Sequence, residues 1–303
     1  MAEPTDPPAP PDQQPWPRTP GQPSWTPGWA PPPDSPPPAA GPWPPQTQPP
    51  YGVPYGTEPP QPPRPARNPV PAPPGPPRML RLELGLVLLL TFAPGILGLL
   101  VIALGADGSS EVETKLVPSV ISIGFELFLS WSPVLVIGFL LARNREGWSG
   151  IGLTRFRGAD LGMGGLLWVA SFVLVLVLAQ LFQFLGQREV DFLPPGLPLW
   201  FRSIQAVLIA VTAGVTEEIV VRGYAQTRLE QLRAPTAVVL LLPTVLWGML
   251  HVYQGVGAAL TIFGLGLMYA WYFQRTRRLW PLILAHTLFD LTQLILILAG
   301  VGS

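Results

Sequence analysis

Residues 206–226 read AVLIAVTAGVTEEIVVRGYAQ, an apolar run interrupted by two adjacent glutamates and an arginine. A stretch of this length and composition is typical of a membrane helix. Ionisable side chains at membrane depth cost several kcal/mol unless they are paired or hydrated, so by default they mark function. On a helix, Glu218 and Arg222 share a face and can pair, whereas Glu217 projects about 100° away. The pattern predicts one compensated carboxylate and one that is free for chemistry; the alternative is that both are neutralised or lie at the cytoplasmic interface.

The chain has two histidines, and both lie in apolar segments further along, TVLWGMLHVY and PLILAHTLFDLTQ. Trp247 and His251 are four residues apart, so on a helix the indole can pack beside the imidazole and hold its orientation. His286 and Asp290 have the same spacing, and a carboxylate there can fix the tautomer of the imidazole. Either histidine alone is more typical of a core residue. Together with the glutamates, they predict a site that activates water inside a membrane.

Seven apolar stretches are long enough to cross the hydrocarbon core, which takes about 20 helical residues. They predict an all-α, polytopic membrane bundle over residues 79–303, in which the fifth and sixth spans form a hairpin that turns at Gln254 and Gly255. The stretches are 84–104, 116–141, 161–185, 204–221 (continuing as a helix to about 232), 236–253, 256–273 and 280–299.

The first 78 residues have a different composition. Of the 42 prolines, 33 fall within the first 77 residues, where few aliphatic side chains accompany them. Such a segment buries too little apolar surface to offset chain entropy, so we expect a disordered tail with stretches of polyproline II. It is interpreted as a tethered spacer, with docking to an unknown cytoplasmic partner as the alternative. No cleavable signal peptide is expected, because no charged region followed by an apolar one opens the chain.

The basic residues predict the orientation. Fifteen of them fall on one side of the predicted spans and three, Lys115, Arg188 and Arg202, on the other. By the positive-inside rule, the proline-rich tail is cytoplasmic and the C-terminus faces outward. A preference for arginine over lysine suggests a GC-rich bacterial genome, which predicts a multi-pass protein of a bacterial plasma membrane. The formal net charge of +0 argues against nucleic-acid binding, and the absence of cysteine excludes disulfides and thiolate-bound metal.

Three motifs in order resemble a known family. EEIVVR at 217–222, WGMLH at 247–251 and HTLFD at 286–290 follow the pattern EExxxR, aromatic-xxx-H and HxxxN/D. This set is similar to that of the CPBP family, which comprises CAAX prenyl endopeptidases and the bacterial Abi or lysostaphin-resistance-like membrane proteins. The resemblance covers about residues 204–299. The chain departs from the family pattern at three positions. Trp247 stands where phenylalanine is usual, Val221 where an aromatic residue is common, and Asp290 where many members have asparagine.

The resemblance implies an intramembrane endopeptidase of the metalloprotease type. Its substrate would be a membrane-associated peptide or protein. Glu217 and His251 would activate water, and His286 with residue 290 would stabilise the oxyanion. Because an ionised carboxylate cannot donate a hydrogen bond, Asp290 must either be protonated for that role or orient His286. Zinc held by Glu217, His251 and His286 is one version, and a metal-independent glutamate mechanism is the other. The competing functions are a non-catalytic immunity or scaffold protein and a proton-coupled transporter.

The two histidines do not reach the same depth on straight helices. His286 lies about 9 Å from Trp280, whereas His251 lies about 24 Å from Pro235 at 1.5 Å per residue. For the two to meet, the hairpin after His251 must dip into the bilayer or the helices must tilt strongly. Irregular backbone at that depth requires surrounding protein or a water-filled cavity. A cavity beside His251 is therefore predicted.

Overall fold

A computed structural model describes residues 70–104, 116–186, 192–193 and 196–300. Within these ranges the chain forms helices and turns without strands, which confirms the all-α class. The helices are α1 (Pro77–Ala103), α2 (Leu116–Arg143), α3 (Gly158–Phe182), α4 (Leu199–Glu217), α5 (Thr227–Gln231), α6 (Thr236–Met249), α7 (Val256–Thr276) and α8 (Trp280–Leu298). Short 3₁₀ turns lie at Trp148–Ile151, Gln183–Leu185 and Val252–Gln254.

Helices α4 and α5 are parts of one continuous helix from Leu199 to Gln231, 33 residues long. The turns between them, Glu218–Gln226, are π-helical. A π-helix widens the backbone and shifts the side chains that follow, and it is often found at functional sites. Here the change begins between Glu217 and Glu218, so the two adjacent carboxylates lie at the junction of the two helix types.

Six helices in the described part of the chain are long and apolar enough to cross a membrane. The predicted fifth span, 236–253, is corrected: α6 has 14 residues and ends at Met249. At 1.5 Å per residue it is about 21 Å long, which is short of the ~30 Å hydrocarbon core. His251 therefore lies at the apex of the α6–α7 hairpin. Because a hairpin returns to the side from which it starts, the predicted orientation of the other helices is unchanged.

The hairpin turn has the backbone that its sequence requires. Gly255 has a φ of 103°, which is in the region that glycine alone adopts without strain. The hairpin turn predicted at Gln254 and Gly255 is confirmed, and α7 begins at Val256. In this arrangement α6 and α7 pack directly against each other.

Close packing of α8 against α4 and α3 forms the centre of the bundle. A Cβ added to Gly214 of α4 would lie 2.1 Å from Oγ1 of Thr287. On α7, a Cβ added to Gly266 would lie 2.7 Å from the ring of Trp247. Small residues that allow backbones to approach closely are typical of membrane helix interfaces. Gly214 thus allows α4 to approach α8 closely, and Gly266 allows α7 to approach α6 closely.

Ion pairs join the helices at the arginine-rich end of the bundle. The pairs are Arg143–Glu83, Arg228–Glu146, Arg277–Glu230 and Arg278–Asp160. Arg228 is fully buried, and its guanidinium also lies 4.8 Å from the centre of the Tyr224 ring. Buried charges are retained when they are paired in this way. The side of the bundle that the positive-inside rule places in the cytoplasm is thus closed by paired charges.

Of the predicted tail, 1–78, residues 1–69 lie outside the described part of the chain. The predicted boundary between the tail and the membrane domain, at residue 78, stays a prediction, and α1 begins at Pro77. Proline is favoured in the first helical turn, where its missing N–H costs nothing. Before the helix, the carbonyls of Pro71 and Ala72 each accept a hydrogen bond of 3.4 Å from Nε2 of Gln231. These bonds join the segment before α1 to α5.

Candidate active site

A buried ion pair lies at the base of the site. Nη1 of Arg222 donates to Oε1 of Glu218 at 3.0 Å, and both side chains are fully buried. The guanidinium carbon of Arg222 lies 4.4 Å from the centre of the Trp247 ring, and Nη2 donates to the carbonyl of Gly266 at 3.4 Å. A buried guanidinium is tolerated when charge, carbonyl and aromatic partners replace its hydration. The pairing predicted from the four-residue spacing is present.

His286 is oriented by Glu218. Its Nδ1 lies 2.9 Å from Oε1 of that glutamate. Since a carboxylate paired with Arg222 is an acceptor, Nδ1 is the donor and Nε2 points away from the ion pair. Nε2 then lies 3.5 Å from Oδ2 of Asp290 and 3.9 Å from Oε2 of Glu217. Asp290 thus contacts the imidazole four residues before it, as the spacing predicts, while Glu218 holds the other ring nitrogen, Nδ1, from a neighbouring helix.

Glu217 projects to the other side of the helix junction, as its angular position predicts. Its side chain is 31% exposed, and Oε2 accepts a hydrogen bond from the indole N–H of Trp247. The indole is itself held in place, because it packs against Arg222 on one side and fits over Gly266. One carboxylate oxygen of Glu217 is therefore anchored, while the side chain remains partly exposed.

His251 lies in the turn that follows α6. Its Nδ1 is 2.9 Å from the carbonyl oxygen of Trp247. A carbonyl only accepts, so Nδ1 donates, and Nε2 of the neutral ring carries the lone pair. The imidazole packs edge-on against the Trp247 ring, with a centroid distance of 5.2 Å, as the sequence predicts. The same indole lies 5.8 Å from the ring of His286, so Trp247 separates the two histidines.

A cavity of about 510 Å³ lies between α3, α4, α7, α8 and the hairpin turn. Four of the predicted site residues line it, namely Glu217, His251, His286 and Asp290. The other two, Glu218 and Arg222, lie buried behind them. The cavity predicted beside His251 is thus present. The arrangement has two carboxylates and two imidazoles around a cavity large enough to hold water.

Comparison with known families identifies the segment that carries this site. Residues 198–292 match the family described as type II CAAX prenyl endopeptidase Rce1-like. Over these residues the chain is similar to the CAAX prenyl endopeptidases, the family that its three motifs resemble. The match covers about a third of the chain and contains all three motifs, close to the predicted extent of 204–299. No curated protein and no solved structure matches the chain.

The segment that matches this family also contains polar contacts that motif spacing does not reveal. Tyr269 of α7 shares a hydrogen bond of 2.8 Å with the hydroxyl of Ser171 on α3. Its ring lies 6.1 Å from that of His286 and 5.7 Å from the guanidinium carbon of Arg222. The signal in the sequence is weak, a serine and a tyrosine in two separate apolar helices. Tyr269 contributes to holding both functional side chains in place.

The zinc hypothesis concerns Glu217, His251 and His286 in this segment. Each imidazole has its Nδ1 engaged, so Nε2 is the nitrogen left for a ligand. Within the described ranges, no group of three or more histidine, aspartate or glutamate side chains has the spacing of a metal site. Zinc remains a prediction for these residues.

Proposed function

We propose that this chain is a CAAX-protease-like intramembrane endopeptidase that hydrolyses a peptide bond of a membrane-associated protein or peptide. The observation that carries this proposal is the convergence of Glu217, His251, His286 and Asp290 on one cavity within the bundle. The match of residues 198–292 to type II CAAX prenyl endopeptidases supports the same reaction class. Ionisable groups are retained at such depth when they are paired or hydrated, and here four of them line the cavity.

Glu217 is assigned as the general base. Because the indole of Trp247 holds Oε2, the carboxylate is oriented towards the cavity before substrate binds. It accepts a proton from a water molecule as the water oxygen forms a bond to the peptide carbonyl carbon. His251, with Nδ1 held by a backbone carbonyl, presents Nε2 as a second acceptor that orients this water. The proton on Glu217 then passes to the amide nitrogen as the C–N bond breaks.

His286 is assigned to the developing oxyanion. With Nδ1 held by Glu218, Nε2 faces the cavity, and when protonated it donates a hydrogen bond to the carbonyl oxygen. Asp290, 3.5 Å from Nε2, stabilises a proton on that nitrogen. This gives the aspartate a role that needs no donated hydrogen bond, in a position where many relatives are expected to have asparagine. Bound zinc, if present, would add Lewis-acid polarisation of the water or the carbonyl.

Hydrolysis of a peptide library by the purified full-length chain in detergent tests the assignment. We expect cleavage by the wild type, and a fall of at least ~10² in turnover in the Glu217→Gln variant with folded yield preserved. Glu126→Gln is a matched control, since Glu126 is an exposed carboxylate in the apolar helix α2 and lies outside the cavity lining. Its turnover should stay within a few-fold of wild type.

Two results would contradict the proposal. Equal turnover in Glu217→Gln and wild type would remove Glu217 as the base. Failure of the folded wild-type protein to cleave any member of the library would instead favour a non-catalytic role.

A further inference from the structure

The cavity extends from the catalytic cluster in one direction along every helix that lines it. On α4, Ile209 and Ala213 precede Glu217, while on α8, Gln293 and Ile297 follow His286. These two helices are antiparallel, so their lining residues lie towards the same end of the bundle. From His286 to Ile297 the distance along α8 is about 16 Å.

The other lining segments agree with this direction. On α3 the lining residues Val175 and Ala179 are near the C-terminal end, and on α7 they include Ala258 near the N-terminal end. Phe192, between α3 and α4, also lines the cavity. All of these lie towards the end of the bundle that carries few basic residues, where α4 begins and α8 ends. By the positive-inside rule, that end is extracytoplasmic.

The opposite end is closed. All residues from Glu218 to Gln226 are buried, including the ion pair beneath the site. Six residues after Arg222, Arg228 is fully buried and pairs with Glu146. A peptide approaching along α4 from the arginine-rich side would have to break both ion pairs. Breaking a buried pair is strongly unfavourable, by roughly 3–5 kcal/mol.

We propose that the cavity opens to the extracytoplasmic side and admits an extended peptide segment of an exported or membrane protein from that side. Its walls are largely aliphatic, with Ile209, Ile262 and Leu294 among them, so segments with apolar side chains fit. The amides of Gln254 and Gln293 also line the cavity and can bind peptide backbone. The identity of the occupant as a substrate rests on the proposed function; the side of access does not.

Single-cysteine labelling tests the side of access without any assay of hydrolysis. The chain contains no cysteine, so each introduced thiol is the only one present. Ala213→Cys places a thiol on the cavity wall one turn before Glu217, and Gln293→Cys places one on the exposed rim. Leu199→Cys at the exposed start of α4 and Ser149→Cys on the arginine-rich side report the orientation.

A membrane-impermeant methanethiosulfonate is added to right-side-out and to inverted membrane vesicles holding the full chain. We expect Leu199→Cys, Gln293→Cys and Ala213→Cys to react several-fold faster in right-side-out vesicles, and Ser149→Cys to react faster in inverted ones. Faster labelling of Ala213→Cys in inverted vesicles, or no labelling from either side, would overturn the proposal. So would reversed reactivity of Leu199→Cys and Ser149→Cys, because the cavity would then open to the cytoplasm, as a prenylated cytoplasmic C-terminus requires.

Hydrolysis is measured separately on the same vesicles. Labelling from outside without cleavage of any apolar peptide would leave the side of access established and contradict the endopeptidase instead. Cleavage of peptide added outside, blocked once Ala213→Cys is labelled, would support both.

Discussion

The indole N–H of Trp247 donates a hydrogen bond to Oε2 of Glu217, linking the end of α6 to the end of α4. The family resemblance treats Trp247 as a mild aromatic replacement for phenylalanine. A phenylalanine would keep the ring between the two histidines but could not donate this bond. In this chain the aromatic position therefore also orients the carboxylate that we assign as the base.

Trp247→Phe separates these two roles. Removing a hydrogen bond to a charged group costs about 1.5–3 kcal/mol, so we expect kcat to fall roughly tenfold or more, with a small change in KM. The melting temperature should change little, because an aromatic ring still covers Gly266. Steady-state kinetics on a cleaved peptide and thermal unfolding in detergent measure the two effects. An unchanged kcat in the folded variant would show that the hydrogen bond does not position the base.

Glu218→Ala should destabilise the protein as well as inactivate it. It leaves Arg222 as an uncompensated buried charge and frees Nδ1 of His286, and breaking a buried pair costs about 3–5 kcal/mol. We expect low folded yield and a lower melting temperature. Glu218→Gln keeps an acceptor for both partners and should lose less stability. A stable, fully active Glu218→Ala variant would contradict the assignment of this residue as the support for His286.

Gly214→Ala tests the approach of α4 to α8 beside the site. The added Cβ would lie 2.1 Å from Oγ1 of Thr287 and 2.8 Å from its backbone nitrogen, so the helices must separate. We expect a loss of about 1–3 kcal/mol of stability, typical of overpacking. Gly165→Ala in α3 is the matched control, because its Cβ meets nothing within 4 Å. Unfolding curves that show equal effects for the two variants would contradict the packing argument.

Chelation distinguishes the two mechanisms that the motifs leave open. Zinc sites are usually identified from sequence by the spacing HExxH, which this chain lacks, and a three-ligand site would have to draw on two helices and the hairpin turn. We expect peptide hydrolysis to survive treatment with a strong chelator. Metal analysis of the purified protein before and after treatment is the second measurement. Loss of activity that stoichiometric zinc restores would show that the site is a metal centre.

Local spacing was enough to predict several features. Apolar runs of about 20 residues predict membrane helices, because their side chains transfer favourably to lipid. The orientation given by the positive-inside rule stays a prediction. The Glu218–Arg222 pair was predictable because residues four apart lie on one helix face. The contact of Trp247 with His251 follows from the same rule. Each of these depends only on neighbours along the chain.

The length of α6 was harder to predict. Apolar composition continues through Val252, so the hydropathy pattern favours a full span over 236–253. The helix instead ends at Met249, where the chain enters a 3₁₀ turn and then Gly255 with positive φ. Packing of the hairpin against its neighbours determines where such a helix ends. This early end is what places His251 beside the cavity.

By itself, the sequence determined the helical class, the motif residues and the pairing of Glu218 with Arg222. Only the tertiary structure decided which groups face the cavity and which support them. The bond between Glu218 and His286 joins residues 68 apart, and that between Trp247 and Glu217 joins residues 30 apart. Such contacts depend on how closely helices approach and at what depth, which glycines such as Gly214 permit. Spacing along one helix fixes angles around that helix, but not its register against another.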